Sequence, residues 1–351
     1  GLLFGALIGG RMADLTGRRP VLVSSLLVLG VFSMGSALAP DLPMLLVMRF
    51  LAGLGLGGAL PNILAMVNES GRADSGATRV TMLGSAMPFG GAFLGLLTVI
   101  LPDLSWQAMF WLGGLAPILV AVGCQLLLPR FRVIETGRPR APVGFALFGE
   151  ERGVPTLLLW VTTLCVAISV AMMINWLPSL MMTRGFGQAA TGRIVMMLTL
   201  GGAASGFVFG MLAQRLPARR VHAFAWAGMI TSVLLMVWSA RAEAGAAAAS
   251  FGLGFFLSGG QFLLYGLATA LYPQAMRGTG TGFAVGAGRF GAVLGPLLAG
   301  ALLARSGNAD YAVLSLLPLL VFSFATVLGL YRSRTPTPAP MVTEATPITS
   351  P

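Results

Sequence analysis

Eleven predominantly apolar stretches, most of them about twenty residues long and separated by short arginine-bearing connections, constrain this chain more than any other feature. They run near 1–10, 20–39, 44–66, 80–101, 106–128, 154–182, 191–213, 221–239, 246–272, 278–304 and 311–331. A helix of about 20 apolar residues spans the ~30 Å hydrocarbon core of a bilayer. Only 9% of the residues are charged, against about 25% in a soluble domain, so most of this surface faces lipid. The expected fold class is an all-α polytopic membrane protein.

The formal charge of +11 could point to nucleic acid, but all 22 basic residues are arginines clustered between apolar runs. That is a topology signal, and no nucleic acid partner is expected. Sixteen arginines fall on one side of the spans and four on the other. The richer side is read as cytoplasmic, the C-terminal tail included. Arg49 and Arg289 lie inside spans. In this orientation the opening run travels outside to inside, so a twelve-helix protein lacking helix one and part of helix two is expected. The longest connection divides it into an N-terminal half at 1–128 (helices two to six), a cytoplasmic linker at 129–153 and a C-terminal half at 154–331 (helices seven to twelve). A Pro/Thr-rich tail at 332–351 is expected to be disordered.

An internal repeat supports the halving. Gly10-Arg-Met-Ala-Asp14-Leu-Thr-Gly17-Arg18-Arg19 recurs in degraded form from Gly210 to Arg220, with Gln214 and Pro217 in place of the Asp and Gly. Parallel duplicated halves are a transporter architecture. Cys124 and Cys165 lie in apolar segments and act as small hydrophobes, so neither a disulfide nor a metal site is expected. Gly53-x-Gly55-x-x-Gly58 matches a dinucleotide fingerprint in spacing only, without the preceding strand it needs. Close helix packing explains it better. No hydrolase or P-loop signature occurs, so an enzyme is not expected, nor is a cofactor.

At the first repeat the sequence resembles the major facilitator superfamily, whose G-x-x-x-D-R-x-G-R-R signature is matched at Gly10, Asp14, Gly17, Arg18 and Arg19, with Leu15 departing from it. A second motif, R-x-x-x-G-x-x-x-G-x-x-x-P, is matched by Arg49, Gly53, Gly57 and Pro61. The stretches GALPN (58–62), INWLP (174–178), GGQFLLYG (259–266) and GRFGAVLGPLLAG (288–300) are similar to the aromatic acid:proton symporters, particularly transporters of 3-(3-hydroxyphenyl)propionate. The resemblance implies the major facilitator fold of two six-helix halves in a bacterial inner membrane. It also implies that Asp14 contacts the start of helix eleven near Gly278 and Thr279, and that Gly10, Asp14, Gly17, Arg18 and Arg19 gate the cytoplasmic side. Acidic residues are expected on the absent first helix, since all eleven acidic residues here fall in loops, span ends or the tail.

Individual residues have competing readings. Asp14 can accept hydrogen bonds at a helix N-terminus or be a solvated loop charge. Arg18 can pair with Glu69, which joins the gating set. Arg289, about twelve residues into its span, lies ~18 Å deep; it is a candidate partner for a carboxylate or a structural arginine bonded to polar neighbours. Arg49 can snorkel to the outer interface, while the superfamily motif favours proton coupling. Asn62, Asn175, Trp176, Gln261 and Tyr265 can bind a hydroxylated ring or tie helices together. Gln261 and Tyr265, four apart, share a helix face.

The expected function is import of a small aromatic carboxylate with protons by alternating access, in a monomer embedded in the bilayer. The alternatives are a proton-coupled drug or metabolite exporter of the same superfamily, or a transport-inactive sensor on the same scaffold.

Overall fold

In lipid every backbone amide and carbonyl must find an internal partner, which apolar segments of this length achieve only as helices. The computed structural model describes residues 1–69, 76–91, 93, 105–128, 142–239, 242–306 and 308–333. Nine helices among them are long and apolar enough to cross a membrane. In chain order the helices are α1 (Leu2–Thr16), α2 (Arg18–Ala37), α3 (Leu42–Glu69), α4 (Gly76–Leu83), α5 (Trp106–Leu127), α6 (Val143–Phe148), α7 (Gly153–Thr183), α8 (Gln188–Arg215), α9 (Ala218–Ser239), α10 (Glu243–Leu271), α11 (Arg277–Ser306), α12 (Ala309–Leu314) and α13 (Leu316–Ser333). The described residues of the expected apolar stretches fall mainly on helix. The span expected at 80–101 is helical in α4 and again at 86–91, with a break at Gly84 and Ser85. Residues 92 and 94–101 lie outside the described residues.

Several boundaries differ from the sequence reading. The first helix continues past residue 10 to Thr16, so Asp14 sits on its last turn rather than in a loop. The turn into α2 is Gly17 alone, at φ 102° and ψ 155°, a conformation open essentially to glycine. Residues 143–148 of the expected linker form α6, and α7 begins at Gly153, inside the expected linker range; residues 129–141 lie outside the described residues. The final span is split at Ser315, because Pro318 has no amide for the Leu314 carbonyl. Arg332 and Ser333, assigned to the tail, close α13, where a terminal arginine suits the helix dipole. The remaining tail, 334–351, lies outside the described residues.

Helix contacts repeat along the chain. In the first set α1 packs on α3, and α2 on α3 and α5. In the second, α8 packs on α10, and α9 on α10 and α13. The two sets meet where α1 lies against α11 and where α4 lies against α8 and α10. The largest apolar core lies within the second set. It contains two buried polar ties, Trp226 Nε1 donating to Ser323 Oγ at 2.7 Å and the Thr162–Thr326 hydroxyl pair at 2.7 Å.

At the arginine-poor end, Arg184 pairs with Asp310 and donates to the Met236 carbonyl at 3.1 Å. Arg193 forms a forked pair with Glu243 at 2.5 and 3.0 Å. These contacts join helix ends within the second set.

Candidate functional site

Between the two helix sets lies a cavity of about 460 Å³, within the range of small-ligand sites. Its walls come from 86–91, α7, α8, α10 and α11. Most of the lining is apolar or small, including Met87, Pro88, Val170, Ile174, Val195 and Phe262. The polar groups are Asn175, Thr199, Ser258, Gln261, Tyr265 and Arg289. No Asp or Glu among the described residues contributes to the lining.

Arg289 is the thirteenth residue of the thirty in α11 and is half-buried. No described carboxylate or carbonyl pairs with its guanidinium, and its Nε is buried without a partner. A cation held mid-membrane without a counter-charge is costly, and an entering anion would offset that cost. Gln261 Nε2 donates to Tyr265 Oη at 3.1 Å, so the expected pair exists and spans one turn of α10. Asn175 donates to the Ala171 carbonyl at 2.7 Å, which leaves its oxygen available to the cavity.

The other sequence candidates stand elsewhere. Asn62 is fully buried and donates to Gly58 O at 2.8 Å and Gly9 O at 3.5 Å, tying α3 to α1. Trp176 turns from the cavity and lays its ring edge over Gly300 of α11. Arg49 donates to Ser36 Oγ at 2.9 Å and Ser33 Oγ at 3.1 Å and lies 4.5 Å from the Phe110 ring centroid. It braces α2, α3 and α5 rather than reaching the cavity or snorkelling. Thr199 and Ser258 line the cavity without having been singled out in the sequence. Ser258 was legible, since 258, 261 and 265 share one helix face.

The arginine-rich end of the seam is closed by a charged cluster. Asp14 Oδ1 accepts from the Gly278 amide at 3.0 Å, and Oδ2 accepts from the Thr279 amide at 2.6 Å and hydroxyl at 2.7 Å. The carboxylate therefore caps the N-terminus of α11, as the charge–dipole argument requires. The backbones touch there, since a Cβ on Gly10 would stand 2.3 Å from the Gly278 carbonyl oxygen. Arg18 grips Glu69 with a fork at 3.0 and 2.7 Å, reaches Gln274 O at 3.3 Å and lies 3.6 Å from Asp14. Arg277, which sequence reasoning passed over, donates to the same Glu69 at 3.1 Å. Arg19 departs from the group and bonds the Gln125 carbonyl of α5. Burial pushes the Asp14 carboxyl above its usual range, opposed by the Thr279 bonds, Arg18 and the Gly278 amide.

Asp14→Asn removes the charge but keeps one oxygen for the two amides. Hydrogen bonds to a charged group contribute about 1.5–3 kcal/mol, so a rate limited by this closure should fall about tenfold with membrane insertion unchanged. Unaltered turnover by a normally expressed Asp14→Asn protein would remove Asp14 from the closure.

The sequence profile of the Major Facilitator Superfamily matches residues 1–265 and 194–351. The chain is 37% identical over 304 residues to the 3-(3-hydroxy-phenyl)propionate transporter of Escherichia coli (strain K12), covering 87% of this chain and 75% of that protein. It is 29% identical over 375 residues to the 4-hydroxybenzoate transporter PcaK of Pseudomonas aeruginosa, covering 93% and 81%. In fold it is similar to the transporter FucP in its outward conformation, with TM-score 0.74 at 15% identity over 96% of this chain and 88% of that one. The human organic anion transporter MFSD10 gives TM-score 0.78 at 15% identity over 93% and 80%.

Proposed function

Because the chain is a multi-pass membrane protein that belongs to the Major Facilitator Superfamily, we propose that it imports a small aromatic carboxylate together with protons by alternating access. The observation that carries the reading is Arg289, which among the described residues is a cation without a partner and the one charged group lining the cavity between the two helix sets. A carboxylate would take the guanidinium through a bidentate pair. The ring would lie against Val170, Ile174 and Phe262, and a ring hydroxyl would meet Gln261, Tyr265 or Asn175. Asn62 and Trp176 support the site through packing. Arg49 influences coupling only through the α2–α3–α5 brace.

The bodies that rock are 1–128 and 154–331, joined by 129–153, with the arginine-rich end and the tail in the cytoplasm. The Asp14–Arg18–Glu69–Arg277 cluster holds the cytoplasmic end closed, and its release opens the cavity inward.

Purified protein in proteoliposomes should accumulate labelled 3-(3-hydroxyphenyl)propionate under an inward proton gradient, and an uncoupler should collapse the gradient-driven component. Export of a hydrophobic drug without uptake of the acid would instead establish the exporter alternative.

A further inference from the structure

The cavity wall nearest the arginine-rich end belongs to two structures at once. Phe262 and Tyr265 line the cavity and also belong to a separate apolar cluster with Ala6, Leu64, Val80 and Val285. That cluster joins α1, α3 and α4 of one set to α10 and α11 of the other. Phe262 is only 5% exposed, because its ring lies flat across Gly84. A Cβ on Gly84 would stand 2.2 Å from the ring Cγ, 2.4 Å from Cδ1 and 2.7 Å from Cδ2.

Gly84 occupies the break between α4 and the helical run at 86–91. There the Gly84 and Ser85 amides reach back three residues, to Thr81 O and Met82 O, each at 3.1 Å. The break cannot retreat, because α8 backs it so closely that a Cβ on Gly206 would lie 2.1 Å from Ser85 Oγ. Immediately beyond it, Met87, Pro88 and Gly91 line the cavity.

We infer that Gly84 is a specificity-determining position, which acts through Phe262 to set how long an acid the cavity accepts. The missing side chain gives the Phe262 ring a seat outside the cavity. Any Cβ at residue 84 must displace that ring. The apolar cluster is packed behind it and α8 fixes the break, so the ring moves into the empty volume beside it, which is the cavity. The inference rests on the transport reading above, and it adds that chain length between ring and carboxylate is selected at this seat.

The test compares competitive inhibition constants for benzoate, whose carboxylate is attached to the ring, and 3-(3-hydroxyphenyl)propionate, which has two additional carbons. Single-methylene discrimination in a tight pocket is typically tenfold or more. Gly84→Ala should therefore raise the constant for the longer acid relative to benzoate by about tenfold. Phe262→Leu should move the ratio the opposite way, and the Gly84→Ala/Phe262→Leu double variant should return it toward wild type. General destabilisation by Gly84→Ala would not give that rescue. If Gly84→Ala alone fails to fold, folding and binding recovered in the Gly84→Ala/Phe262→Leu variant support the seat, and a double variant that fails equally overturns it. A wild-type protein that binds neither acid overturns the transport reading. One that binds both, with the ratio unmoved by the variants or moved in the same direction by both, overturns this inference alone.

Discussion

Arg289→Ala is expected to remove saturable binding of an aromatic carboxylate while leaving a folded protein in the membrane. The two halves of that expectation have the same cause. The guanidinium has no counter-charge and its Nε has no acceptor among the described residues, so native packing loses no bond when it goes. A mid-membrane arginine costs at least about 2.5 kcal/mol, so thermal stability of the unliganded protein should hold or rise. A carboxylate that reaches this cavity meets no other cation among the lining residues. Two charge-assisted hydrogen bonds contribute about 3 kcal/mol or more together, so affinity should fall at least about a hundredfold. Arg289→Lys keeps the charge and loses the planar fork, and an intermediate loss is expected. Isothermal titration with the acid, paired with thermal unfolding in detergent, reads both halves. Unchanged affinity in both variants would reduce Arg289 to a packing residue, and severe unfolding of Arg289→Ala would show hidden structural bonds.

What could be read in the sequence divides along physical lines. Apolar periods and arginine clusters report on the bilayer directly, which is why the described residues of the expected stretches fall mainly on helix and why Arg289 could be placed mid-span. Spacing four apart on one helix put Gln261 beside Tyr265 correctly, because helical geometry alone decides that contact. The Asp14 contact with Gly278 and Thr279 was legible through the family motif. Which face of a helix meets the cavity was not legible for Asn62, Trp176 and Arg49. Each has a polar or aromatic group, and in lipid such groups also serve to join helices. Their partners on neighbouring helices, the Gly9 carbonyl for Asn62, Gly300 for Trp176 and two serines and the Phe110 ring for Arg49, are brought together only by the packing. Arg277 escaped notice because its significance depends on Glu69, 208 residues away. Gly84 escaped because its role depends on what is absent from it.

Glu69→Gln is the second large effect expected, and its direction follows from counting charges in the closure. Asp14, Glu69, Arg18 and Arg277 balance as two acids and two cations, with Glu69 accepting from both guanidiniums. Its side chain is 9% exposed and that of Arg18 is 8%, so water does little to replace a lost partner. Neutralising Glu69 leaves the buried Arg18 and the half-buried Arg277 facing each other with only Asp14 to compensate. Breaking a buried pair from one side costs about 3–5 kcal/mol. Arg18 and Glu69 come from α2 and α3 of one set and Arg277 from α11 of the other, so the lost Glu69–Arg277 bond and the Arg18–Arg277 repulsion belong to the closed arrangement and are relieved when the helix sets part. That seam-crossing share, one charge-assisted hydrogen bond of about 1.5–3 kcal/mol, should move the population toward the state open at the arginine-rich end by about tenfold to a hundredfold. In a background with Cys124 and Cys165 replaced by alanine, a cysteine introduced at Ser258 reports on the cavity. A membrane-impermeant thiol reagent should label it faster from the arginine-rich side in Glu69→Gln than in the parent, while net uptake falls. Removing one cation as well, in Glu69→Gln/Arg277→Gln, should restore part of the closure, because Arg18 then keeps Asp14 as its counter-charge. Labelling and uptake indistinguishable from the parent would mean that the Asp14 cap on α11 holds the seam without the ion cluster.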